Sequence, residues 1–230
     1  MSSSQVGHCS GEELRQTHRF LKIQLVTLHY RWHEYKSLFG HSKERVELLN
    51  QCAGGFFHAV QFALLQQIEV SIVRLLDPAR QGYSNMNMTF SRLVQLAEAM
   101  FQENQTIHLH GKLQLARDCS KRLKSRRNKA VAHLDVDVIQ KEDQSVLEWP
   151  RIEEVDASLN ALTGLANAYE QLAGLPIMIY DAADIRAGSE ALVGHLDNSL
   201  RLKELVRDGF LSQELAYPTR FRSKNSQATR

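Results

Sequence analysis

The residue types best suited to chemistry crowd into one stretch, Lys121-Arg-Leu-Lys-Ser-Arg-Arg-Asn-Lys-Ala-Val-Ala-His133. Histidine titrates near neutrality, so His133 can accept or donate a proton at physiological pH. Arginine presents a planar fork of donors that suits phosphate oxygens and the charge developing on them. Arg126 and Arg127 both precede this histidine within two helical turns, and Asn128 follows them. From Lys112 to Lys129 there are eight bases, Arg122, Lys124 and Lys129 among them, against one acid, Asp118. From Asp135 to Asp156 the balance reverses, with eight acids against Lys141 and Arg151. A basic block of this kind suits a nucleic-acid or phosphate surface, and a solvated charged face is the competing reading. The competing reading of Arg127 and His133 is a structural pair, with His133 set against the dipole at a helix C-terminus.

Helix geometry bears on which arginine works with the histidine. At about 100° per residue, Arg126 and His133 lie within about 20° of each other, while Arg127 and His133 lie about 120° apart. A strict helix therefore pairs Arg126 with His133. A helix end near Ala132 relaxes the constraint and readmits Arg127. Both arginines stand as candidates on spacing alone.

The elements that must hold these residues read as long helices. Over 11–39, two apolar series recur at helical spacing: Phe20, Ile23, Val26 and Tyr30, and Leu21, Leu25 and Leu28. Gly40 ends this helix. A second runs from about Ser42, its N-cap, to Asp77, with Gly54-Gly55 interrupting it and Pro78 stopping it. Arg45 stands where a capping box would place an acid. Residues 79–88 form a polar loop. Further helices are expected over about Thr89–Glu103, His110–Ala132, 151–173 (closed by Gly174) and Ala182–Arg207. The stretch 134–150 reads as irregular or a short hairpin. The expectation is an all-α bundle of five to six helices over 1–212, followed by a disordered basic tail over 213–230.

Composition narrows the function classes. Hydrophobic residues make up 43% of the 230 residues and net charge is +2, an ordinary globular balance with enough apolar material for a core. No purely apolar run approaches the roughly 20 residues that span a bilayer, and the polar start Met1–Gly11 has no apolar signal region. A soluble, cytoplasmic protein is expected. Cys9, Cys52 and Cys119 are odd in number and form no CxxC pair, which fits a reducing compartment. His29 and His33 have i, i+4 spacing, and His108 and His110 are close, but neither pair has a third ligand nearby. No metal site or cofactor is expected. Trp32 and Trp149 read as packing residues, and Met86 and Met88 as loop anchors in the core. There is no Walker A, GxGxxG or GxSxG motif, so ATPase, dinucleotide-dependent and serine-hydrolase readings lack support.

Arg127, Asn128 and His133, with five residues between the arginine and the histidine, resemble the R-x(4–6)-H signature of HEPN domains. Three further features occur in order. They are Tyr35-Lys-Ser-Leu-Phe-Gly40, the pair Phe56-Phe57, and Ser71-Ile-Val-Arg-Leu-Leu-Asp-Pro78 leading into Asn87-Met-Thr-Phe90. Together they resemble the AbiU-type abortive-infection branch of HEPN proteins over roughly residues 15–175. The resemblance implies a helical bundle that forms a homodimer with the motif near the subunit interface. It also implies, in many members, metal-independent endoribonuclease activity of a toxin or antiviral-defence type. Arg127, Asn128 and His133 would then be catalytic. Arg126, Lys129, Arg122, Lys124, Arg74 and Asp77 would support the site or bind RNA, Arg74 and Asp77 matching the family's Arg-x-x-Asp at the end of the second helix. That pair could instead be a simple i, i+3 ion pair. RNA supplies its own nucleophile, the 2′-hydroxyl, so a proton carrier and a cation at the phosphate suffice. RNA and an antitoxin or regulatory protein are the partners implied. The alternative is a non-catalytic HEPN dimer that binds RNA, a nucleotide or a protein.

Overall fold

A computed structural model describes residues 3–81, 85–128, 148–181 and 188–212. Lys129, His133, the 134–147 stretch, the first residues of the sixth expected helix and the 213–230 tail lie outside the described residues. The chain divides into two compact units, one of Met1–Tyr35 with Val60–Ile185, the other of Lys36–Ala59 with Arg186–Arg230. The described elements are all-α apart from one two-residue ladder.

In the first unit, α1 (Ser3–Tyr35) carries the seam Leu14, Thr17, Leu21, Leu25, Leu28, Trp32 and Tyr35, all buried. These positions repeat at steps of three or four, so they form one stripe along the helix. The second apolar series of α1 faces outward: Phe20, Ile23 and Tyr30 are exposed. The seam is the core contact, and the parallel series is surface. α2 (Lys43–Leu75) gives its second half to this unit, with Leu65, Ile68, Ile72, Val73 and Leu75 buried.

α3 (Phe90–Glu98) starts at Thr89, whose hydroxyl accepts the Arg92 amide at 3.3 Å. α4 (Glu103–Cys119) and α6 (Ile152–Leu172) form the most extensive helix pair, and α3 packs on α1 and α4. α6 is closed by Gly174 at φ 65°, and the Leu175 amide reaches back to the Glu170 carbonyl at 2.8 Å.

The expected fourth helix differs in two ways. It begins at Glu103 rather than His110, where the third had been extended too far. It also breaks at Ser120, so that α5 is the short helix Lys121–Arg126. The break frees the Cys119 carbonyl, which accepts the Ser158 hydroxyl of α6 at 3.2 Å. Ser120, at φ -95° and ψ 6°, thereby separates the basic segment from α4. The polar loop after Pro78 holds a small antiparallel ladder, β1 (Arg80–Gln81) against β2 (Asn85–Met86). Met86 and Met88 are exposed there, not buried anchors. Trp32 is buried and donates from Nε1 to Asp156 at 2.7 Å.

The second unit comprises a π-helical turn (Lys36–Gly40), the first half of α2 and α7 (Ser189–Arg207). Leu38, Leu49 and Phe57 form its core, with Phe39, Val193 and Leu196 packed against them. α2 leaves helical geometry at Ala53, one residue before the glycine pair. Ser42 does cap α2. Arg45, unsuited to a capping box, donates to Ser37 and to both carboxylate oxygens of Glu190. These bonds, with that from Ser37, hold Glu190 down at about 2.

Among the described residues α2 is the one helix long and apolar enough to cross a membrane. Its best 18-residue window averages a hydropathy of 1.3. Core helices pass the same test, and the second half of α2 is core.

Candidate functional site

The basic segment reaches the bundle through α5, and adjacent arginines there part company. Consecutive side chains on a helix diverge by about 100°. Arg126, the last residue of α5, turns inward. Its Nη1 donates to Glu69 of α2, which is fully buried, and its guanidinium lies 4.1 Å from the Trp149 ring centroid. Burial pushes the Glu69 carboxyl up to about 7, against the pull of Arg126 and Arg127. The pair is a desolvated one, and Trp149 closes it from the solvent side with a cation–π contact. Trp149 in turn meets Phe62 edge-on.

Arg127 turns the other way. Its Nη2 donates to Asp77 Oδ1 at 3.1 Å and Oδ2 at 3.3 Å, and its side chain is 23% exposed. Asp77 lies just beyond the C-terminal end of α2 and is itself fixed from behind, because its carbonyl accepts the Ser91 hydroxyl at 2.9 Å. The helix widens to a π-type turn at Arg127–Asn128, and Asn128 is exposed. Asp77 thus meets Arg127, and Arg74 makes no ion pair among the described residues. The i, i+3 pairing of Arg74 with Asp77 does not form.

Three arginines of the basic block, Arg122, Arg126 and Arg127, are neutralised internally. Arg122 donates to both oxygens of Glu154 at 2.6 and 2.7 Å and to Glu148 at 3.3 Å. Glu154 also accepts the Arg151 amide at 2.9 Å, so it caps α6 and anchors α5 together. Lys124 remains exposed. It lines a cleft of about 170 Å³ with Lys121, Arg117 and Asp77. On the other side of Asp77 opens a larger pocket of about 320 Å³. Phe20, Gln24 and Arg31 of α1 form one wall and Ser71, Arg74 and Leu75 of α2 another. Asn87, Met88 and Thr89, before α3, complete it.

The structure therefore brings Arg127, Asp77, Arg74 and Lys124 to one region and places Arg126 and Arg122 in ion pairs that hold α5. Spacing alone would have paired Arg126 with His133, whereas Arg126 is occupied by Glu69 and Trp149. His133 and Lys129 lie outside the described residues. Sequence reasoning passed over Glu69, Arg31 and Arg117. Glu69 carried a signal: apart from His58 it is the only ionisable acid or base between Glu47 and Arg74, leaving Cys52 aside. A lone carboxylate in so apolar a helix needs a buried partner.

The described helices thus place an arginine-led turn at the end of a basic helix in an all-α fold. Residues 11–186 match the AbiU2 family of HEPN domains, and the chain belongs to that family. No curated protein and no solved structure matches the chain.

Proposed function

We propose that this chain is a metal-independent endoribonuclease of the toxin or antiviral-defence type, acting as a homodimer. Arg127 is its phosphate-binding cation, His133 its proton carrier and Asn128 a polar helper. The observation that carries this reading is the division of labour at the end of α5. Arg126 is consumed in holding the helix, while Arg127 is held by Asp77 at one corner with a quarter of its side chain open to solvent. A carboxylate that orients an arginine without enclosing it prepares the guanidinium for a second anion. The 2′-hydroxyl of RNA attacks the adjacent phosphorus, a histidine takes its proton, and the second histidine of the dimer protonates the leaving 5′-oxygen. Arg31, Arg74, Arg117, Lys121 and Lys124 flank Asp77 and offer a path for neighbouring phosphates.

The test is cleavage of total RNA in EDTA by the wild type, His133→Ala and Arg127→Ala. Loss of a general acid–base lowers the rate by about 10²–10⁴. Cleavage that survives His133→Ala, or that needs a divalent ion, overturns the mechanism. A wild type that binds RNA as a dimer and cleaves none replaces it with the non-catalytic reading.

A further inference from the structure

The pocket between α1, the end of α2 and the segment before α3 is not explained by the chemistry at Arg127. Arg31 and Arg74 both lie on its wall, and neither has a hydrogen-bond or ion-pair partner among the described side chains. The nearest acid on that wall, Asp77, is already paired with Arg127. The pocket is thus electropositive with its countercharge spent. Two arginines lining one concavity suit a phosphate, whose oxygens can accept from both forks. The remaining wall is mixed. Phe20 is exposed at 39% and Met88 at 46%, far more than packing residues of their size would be. Gln24 contributes an amide, and Asn87, whose amide nitrogen donates to the Pro78 carbonyl at 3.0 Å, has its carbonyl oxygen to offer. Its volume of about 320 Å³ sits at the small end of the range for small-molecule sites.

We propose that this pocket binds one nucleotide of single-stranded RNA, with the phosphate on Arg31 and Arg74 and the base against Phe20 and Met88. Aromatic faces stack on any base, so the pocket accepts the strand without reading much of its sequence. A shared wall at Asp77 makes it a subsite next to the Arg127 turn. The inference rests on the nucleic-acid part of the proposed function and is independent of cleavage.

The experiment is fluorescence anisotropy with the full chain and a labelled 2′-O-methyl RNA hexamer, which lacks the nucleophile. 5′-AMP and inorganic phosphate serve as competitors. Arg31→Ala and Arg74→Ala should each weaken hexamer binding roughly tenfold, the scale of one charge-assisted contact. Together they should lower the slope of log K against log salt by about 0.7, one single-strand phosphate. Phe20→Ala should weaken binding at least about fivefold. Gln24→Glu, which puts a negative charge on the wall with little change in size, should do the same if an alanine variant fails to fold. Arg201→Ala, in the second unit and paired with Asp197, should bind as the wild type does. 5′-AMP should compete far better than inorganic phosphate. A wild type that binds none of the probes overturns the proposal, as do pocket variants that bind normally. Equal competition by phosphate and 5′-AMP overturns its nucleotide part. A wild type that binds the hexamer through these residues yet cleaves no RNA supports the pocket and overturns only the ribonuclease reading.

Discussion

Breaking the ion pair behind the motif should destabilise the bundle strongly. Glu69 is fully buried and Arg126 is 8% exposed, so each is the other's counter-ion in a water-poor interior. Removing one partner strands a desolvated charge, which costs about 3–5 kcal/mol. Glu69→Leu leaves Arg126 with only the Trp149 face. Arg126→Met leaves an acid with no cation in contact. In a bundle of this size each kcal/mol moves the melting midpoint by about 2–4 °C, so either single variant should melt about 6–20 °C lower. The double variant Glu69→Leu/Arg126→Met removes both charges and keeps the volume. It should return to within about 1 kcal/mol of the wild type or exceed it, as apolar replacements of buried pairs do. The assay is chemical denaturation of all four proteins at pH 8, above the value of about 7 to which burial lifts Glu69, so that the acid is ionised. Single variants within about 0.5 kcal/mol of the wild type, or a double variant as unstable as the worse single, would refute the buried-pair account.

Further outcomes follow from the same geometry. Glu69 has a folded value of about 7 against its usual 4.5, so the folded chain holds an extra proton between them; its contribution to stability is full below about 4.5 and lost as pH rises through about 7. The double variant should lack that slope in denaturation series run from pH 5 to 8. Asp77→Asn should cost under about 1 kcal/mol in melting experiments, because the Arg127 pair is partly exposed, yet it should lower RNA cleavage by misorienting Arg127. Gly174→Ala should cost about 1–2 kcal/mol, since φ 65° is a left-handed conformation that a Cβ disfavours. His133→Ala should abolish cleavage while the chain still unfolds cooperatively in melting experiments.

Long periodic helices were the most legible part of the sequence. The Leu21, Leu25, Leu28 series is core, and Gly174 ends its helix, because apolar spacing and left-handed closure are local properties. Which of two apolar stripes on α1 faces inward was not local. It depends on α3 and α6, which pack against α1. Ser120 gave no helix-breaking signal of its own, and its break shows only with Ser158 of α6 beside it. At the site, the divergence of Arg126 and Arg127 was visible as a 100° fork, but which one turns inward depends on Glu69, 57 residues earlier in the chain. In the sequence Asp77 stands out by its spacing from Arg74, whereas its partner is Arg127, which follows α5.

Asp77 is a party wall. The cleft of Lys124, Lys121 and Arg117 stands on one side and the pocket of Arg31 and Arg74 on the other, with Arg127 tethered to its carboxylate. Whatever displaces that side chain for an occupant of one compartment reshapes the other. By linkage, the help or hindrance must be equal in both directions. Two occupants that each displaced it would therefore not bind additively, and Arg127, leashed to the common boundary, would register both.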